Sequence, residues 1–200
     1  MNEFLDERYA PDEYYYGKEP NDFFKFCIDS NPAGKILLPG DGEGRNSVYA
    51  ASKGWEVYAF DQSKEGRKKA MQLAEGKGVD IHYDVSDLDD YEFEENSYDM
   101  IALIYVHLYP GQRIINHKRF IEALRPGGKM IMEVFSRKQL GNTSGGPKEP
   151  DLLYEVEDLK VDFALLDITR AEELSVIKDK QSVNHEGKAE IIRFIGVKSA

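Results

Sequence analysis

Short apolar runs alternate with amphipathic segments through the first two thirds of the chain. Asp22 to Asp29 places Phe23, Phe24, Phe26, Cys27 and Ile28 at helical spacing and stops at Asn31-Pro32. Lys35–Leu38 is a short apolar strand. Arg45–Lys53 reads as a helix with Gly54 as its stop. Trp55–Phe60 is the second strand, and Ser63 caps a second amphipathic helix over 63–77. Val79–Tyr83 is the third strand. The acidic loop 87–96 leads into Tyr98–Val106, apolar enough to be buried on both faces. A helix over Ile114–Leu124, the Arg125-Pro126-Gly127-Gly128 turn and a strand over Lys129–Phe135 follow.

Beyond residue 140 the pattern changes. The stretch GNTSGGPKEP, 141–150, has the composition of a mobile loop, and a helix is predicted near Leu152–Leu159. The extended runs Leu165–Ile177 and Lys188–Lys198 have no helix between them, only a polar turn containing His185-Glu186-Gly187. They predict an antiparallel hairpin at a sheet edge. The whole is an α/β pattern: a Rossmann-like, doubly wound, mostly parallel sheet of seven strands, with helices on both faces and an antiparallel last strand. Two hundred residues suit one such domain, with a leader and first helix over 1–32, a core over 33–135, and a loop, helix and closing hairpin over 136–200.

Three glycines alternating with acids, Gly40-Asp41-Gly42-Glu43-Gly44, follow the first strand directly. Glycine inside regular structure costs roughly 0.5–1 kcal/mol relative to alanine, so the run marks a backbone approached closely by something else. In an open α/β sheet the carboxyl ends of the strands form the ligand crevice, where helix N-terminal amides favour polar groups. Asp61 ends the second predicted strand nineteen positions after Gly42, a placement suited to holding both hydroxyls of a ribose. Asp84 closes the third, where it can meet an adenine amino group while the Val85 backbone reaches a ring nitrogen. The set indicates an adenosine-type ligand; taken singly, Asp61 and Asp84 also read as helix caps or turn formers.

Charge narrows the ligand. The third glycine of a dinucleotide fingerprint falls on Arg45, and no lysine followed by Ser or Thr completes a phosphate loop. Asp41 and Glu43 oppose a pyrophosphate and favour the positive sulfonium of S-adenosylmethionine. The net charge of −11 carries no basic stripe, which argues against nucleic acid; Arg67-Lys68-Lys69 reads as a solvated helix face. No apolar stretch reaches the ~18 residues of a membrane span, and the acidic opening MNEFLDERYAPDE is unlike a signal peptide. The lone Cys27 excludes an internal disulfide, reads as apolar filler beside Phe24 and Phe26, and suits a cytoplasmic protein. No metal-ligand pattern is present.

The glycine turn, Asp61 in "AFDQS", Asp84 in "IHYDVSD" and "FIEALRPGGKMIMEVFS" together resemble class I S-adenosylmethionine-dependent methyltransferases over roughly Ala33–Phe135. "PGDGEGRNSVYAASKGWEVYAFDQS" and "VHLYPGQR" resemble the tellurite-resistance and thiopurine-methyltransferase-like branch. The resemblance implies that Gly40, Gly42 and Gly44 admit the methionine moiety, that Asp61 holds the ribose, that Gln62 flanks the adenine, and that Asp84 with Val85 reads its edge. One position departs from the family. Leu38 stands where an acid two residues before the first glycine is common, so the grip on the cofactor's amino group falls to Asp41 or to Arg45-Asn46.

The implied activity is methyl transfer to a small-molecule O, N, S or related nucleophile by in-line displacement; a non-catalytic S-adenosylmethionine sensor is the alternative. His107, after the fourth strand, is a candidate general base, or else hydrogen-bonds a loop carbonyl or orients substrate. His185 in the hairpin turn is a second, weaker candidate; Arg113 either pairs an acidic acceptor or opens a helix. Tyr14-Tyr15-Tyr16 either covers an apolar edge or forms an aromatic lid in which Tyr16 faces the sulfonium. The sequence leaves the acceptor and the oligomeric state open.

Overall fold

The computed structural model describes residues 3–178 and 187–199. The chain divides into two compact units, Met1–Glu92 and Phe93–Ala200, the division falling in the acidic loop. The first holds helices α1 (Glu3–Tyr9), α2 (Asp22–Asp29), α3 (Arg45–Ser52) and α4 (Lys64–Lys77), and strands β1 (Lys35–Pro39), β2 (Glu56–Asp61) and β3 (His82–Val85). The second holds β4 (Tyr98–Ile104), α5 (Pro110–Ala123), β5 (Leu124–Phe135), α6 (Val156–Asp162), β6 (Leu166–Lys178) and β7 (Gly187–Lys198). The seven strands follow the order β3-β2-β1-β4-β5-β7-β6, mixed, with β7 antiparallel to its neighbours β5 and β6. The expected sheet class is thus present. Among the described residues no helix is long and apolar enough to cross a membrane.

In the first unit, local chemistry sets the boundaries. Asn21 caps α2 by accepting from Phe24 N, and Phe23, Phe24, Cys27 and Ile28 face the core. Phe26 points outward at 58% exposure, whereas Cys27 and Phe24 are both buried. Ile36, Leu37 and Leu38 of β1 are buried, each removal from water contributing on the order of 1.5–3 kcal/mol. Ser63 caps α4 by accepting from Gly66 N, as its sequence predicts, and Gly78 ends that helix in the left-handed region. β3 starts three residues later than expected, because Val79 N still bonds to Ala74 O at the helix exit. Asp84 consequently lies within β3, paired with Phe60, and Val85 with Asp61.

The second unit departs more from expectation. α5 begins four residues early, with Pro110 at its first turn, where a missing N–H costs nothing. The 125–128 turn survives as a break in register, since β4 and β5 pair at Tyr98↔Leu124 and resume at Met100↔Lys129. α6 starts at Val156 under a capping box of Glu155 and Asp158. The 141–150 stretch is pinned. Buried Gln139 donates to Ser144 Oγ and Gly145 O and accepts from Glu190 N, Ser144 donates to Lys188 O, and Gly146 lies against the Phe135 ring. A composition of glycine and polar residues does not reveal such anchors. The antiparallel hairpin of β6 and β7 forms as predicted.

Candidate functional site

The β1–α3 turn is the centre of the first unit. Gly40, Gly42 and Gly44 have φ of 63°, 63° and 86°, left-handed values that glycine adopts without strain. Gly40 N and Asp41 N both donate to Phe60 O, and Tyr83 Oη donates to Gly42 O at 2.6 Å. Asp61 closes the turn: its Oδ2 accepts from Gly42 N at 3.1 Å and its Oδ1 from Ser63 N at 2.9 Å. Burial pushes its carboxyl upward while those N–H groups oppose the rise.

Two of the three glycines are approached by the chain itself. A Cβ on Gly42 would lie 2.8 Å from Tyr9 Oη, and one on Gly44 would lie 2.6 Å from Ala70 Cβ on α4. The Cβ side of Gly44 is therefore filled by α4 packing. Tyr9 was not singled out in the sequence. It is buried at the end of α1 and also lies against Gly66.

The leader is fastened around this turn. Asp6 Oδ1 accepts from Ser63 Oγ and Glu65 N, which holds its carboxyl below the usual range and reinforces the N-terminus of α4. Glu43 and Lys69 form a buried ion pair at 2.8 Å; Lys69 also donates to Glu13 O, and Glu43 accepts from Tyr16 N. Lys69 is thus no part of a solvated face, unlike exposed Lys68, while Arg67 Nε donates to Tyr83 O. Arg45 donates to Tyr16 O and Arg8 to Tyr16 Oη, and Tyr16 packs edge-on against Tyr9. Buried Asn46 accepts from Asn21 N at the start of α2. Gln62 donates to Asp87 on the surface, and Asp84 and Val85 are exposed on β3.

Asp41 is the exception in this satisfied surround. Both its carboxylate oxygens are buried without a hydrogen-bond partner among the described residues. Its carboxyl is pushed up to about 7, chiefly by burial and further by the Asp61 charge, with Ser47 and Arg45 pulling the other way. A carboxylate left without donors, beside a second acid at a strand end, matches a ligand that brings hydroxyl and ammonium donors. S-adenosylmethionine is such a ligand, and the residues fit it.

In the second unit, the segment after β4 is held by main-chain bonds. Tyr105 has φ of 59°, rare for a bulky side chain; its N–H donates to Glu133 O and its hydroxyl to Glu133 Oε1, while Arg193 Nε donates to Glu133 Oε2. His107 Nδ1 lies 2.7 Å from Leu152 O, and a carbonyl only accepts, so Nδ1 carries the hydrogen. Its Nε2 then accepts from Phe135 N at 3.4 Å. Leu108 N donates to Tyr154 Oη, whose titration burial pushes far upward. Arg113 pairs with Asp158 and Asp162, and buried His117 shares Asp162, so Arg113 ties α5 to α6. His185 lies outside the described residues. Among the described residues no cluster of His, Cys, Asp and Glu could hold a metal ion.

A methyltransferase-domain family model matches residues 36–128. Phosphoethanolamine N-methyltransferase 3 of Arabidopsis thaliana is 26% identical over 153 residues, 76% of this chain and 30% of that protein. The chain spans less than a third of the length of the curated relatives it matches. Among solved structures, TehB from Haemophilus influenzae superposes with a TM-score of 0.74 at 17% identity, covering 98% of this chain and 66% of TehB. Phosphoethanolamine N-methyltransferase 2 of Haemonchus contortus, in complex with S-adenosyl-L-methionine, gives 0.70 at 18% identity, covering 98% of this chain and 56% of that one. Over residues 36–128 the chain matches the methyltransferase-domain family, and in fold it is similar to these solved methyltransferases.

Proposed function

We propose that the chain is an S-adenosylmethionine-dependent methyltransferase acting on a small-molecule acceptor. The observation that carries this reading is the pair Asp61 and Asp41 at one strand-end turn, the second still lacking a donor. Asp61 retains lone pairs for a ribose diol beyond its two backbone bonds, and Asp84 with the Val85 main chain offers acceptors and a donor to an adenine edge. Gln62 flanks that edge, and Arg45 and Asn46 keep the turn in place through Tyr16 and Asn21. When bound, the cofactor supplies an electrophilic methyl on a sulfonium. The chain's task is then to position the acceptor in line and exclude water. The leader, roofed on Gly42 by Tyr9 and steadied by Tyr16, serves as the lid over this turn.

The names of the relatives support a small amine as acceptor, and phosphoethanolamine is the first to try. His107 in its neutral form presents Nε2 as the basic atom, and accepting a proton there breaks the weak Phe135 bond. The same bond favours a second reading, a non-catalytic sensor, since both ring nitrogens already hold main-chain partners. The lone buried thiol, Cys27, is in keeping with a cytoplasmic setting. Calorimetry with S-adenosylhomocysteine tests the reading. Asp61→Asn, which keeps the side chain's shape, lowers affinity about tenfold or more in the expected outcome; unchanged affinity overturns the site. Methyl transfer from labelled cofactor to phosphoethanolamine or pooled metabolites favours the enzyme, and binding without turnover favours the sensor.

A further inference from the structure

We propose that Asp41 seats the cofactor's cationic amino group, and that this group's arrival expels a proton from the turn at and below neutral pH. The inference rests on the methyltransferase reading and adds to it a proton linkage that the reading does not require. Three acids surround the turn, and two are committed: Glu43 to Lys69 and Tyr16 N, Asp61 to Gly42 N and Ser63 N. Position 38, where the resemblance expects an acid, holds buried Leu38. Asp41 is left, between two left-handed glycines, with both oxygens buried and undonated.

The groups facing Asp41 explain why it waits protonated. Asp61 on β2 disfavours a second negative charge, and the neutral Tyr83 phenol on β3 spends its hydrogen on Gly42 O and not on Asp41. On α3, the Ser47 hydroxyl and main-chain N–H and then the Arg45 charge favour it. Neither Ser47 group reaches the carboxylate in hydrogen-bonding geometry, the hydroxyl donating to Gly44 O and Arg45 to Tyr16 O. Buried without a donor, the carboxyl titrates at about 7, so at neutral pH it is divided between its two forms. An ammonium group placed against it favours the carboxylate and supplies the missing donors. Binding and proton loss are then one event. Affinity rises with pH up to about neutrality, by about tenfold per pH unit below it, and is flat above.

Calorimetry with S-adenosylhomocysteine, in buffers of different ionisation heat, reads the protons directly. The wild-type protein is expected to release close to one proton per ligand at about pH 6 and almost none at about pH 8.5. Asp41→Asn is expected to abolish most of that release and to weaken S-adenosylhomocysteine about tenfold or more. The same variant keeps its affinity for 5′-methylthioadenosine, which lacks the amino-acid end. Equal proton release by the two proteins, or equal loss of both ligands in the variant, overturns the inference. Wild-type binding of S-adenosylhomocysteine without proton release overturns it while leaving the methyltransferase reading standing. Failure to bind either ligand removes both.

Discussion

The two units treat buried charge differently. Among the described residues of Phe93–Ala200 the buried Arg113 is paired with Asp158 and Asp162 and the buried Glu133 with Arg193 and the Tyr105 hydroxyl, and only the Nε2 of His117, whose Nδ1 meets Asp162, is left over. In Met1–Glu92 the Glu43–Lys69 pair is equally complete, yet a few residues away the Asp41 carboxylate has none. A buried carboxylate without partners is unfavourable for folding, so its presence amid otherwise saturated neighbours marks unspent binding capacity. The paired networks hold structure together; the unpaired group is the one on which the proposed cofactor seat rests.

This contrast breaks most sharply at the pairs. Lys69→Met leaves Glu43 buried and uncompensated and is expected to cost about 3–5 kcal/mol, read from the denaturant midpoint. Adding Glu43→Gln should recover much of that loss, and an undiminished deficit in the double variant contradicts the pairing. Asp41→Asn has the opposite sign. The folded carboxyl titrates at about 7, above the unfolded 3.8, so its contribution is present below pH 4 and lost as pH rises through 7. The wild-type protein therefore loses stability across that window, and Asp41→Asn should flatten the slope and be the more stable protein above pH 7, by about 4 kcal/mol at most. Parallel pH curves for the two proteins dissolve the comparison. The smallest effect is Gly42→Ala, about 1–3 kcal/mol from its left-handed backbone and from crowding against Tyr9. In a Tyr9→Ala background the crowding disappears, and the thermal midpoint should fall less; an identical fall places Tyr9 elsewhere.

Much of the frame was legible because it follows from local chemistry. The β1 run, the Ser63 cap and the β6–β7 hairpin are each set by a few neighbouring residues. Asp61 was legible from its distance to the glycine turn, since the length of one helix and one strand sets that spacing. Lys69 was not: a lysine in an amphipathic helix looks solvated until residues 13–16 fold over it. Tyr9 eluded the sequence because nothing periodic links it to Gly42, thirty-three positions away. Asp84 shifted into its strand because the helix exit consumed Val79. The 141–150 loop seemed free because its anchors, Gln139 and Ser144, act through side-chain amide and hydroxyl bonds that composition does not encode.

The left-handed tyrosine after β4 bears on engineering. Asparagine or glycine at 105 would relax the main chain, so a library sorted only for heat resistance is drawn toward those residues. Such variants would surrender the phenol that meets Glu133 and, with it, the fixed course of the peptide leading to His107. Thermostabilisation of this protein is best confined to sites away from that peptide.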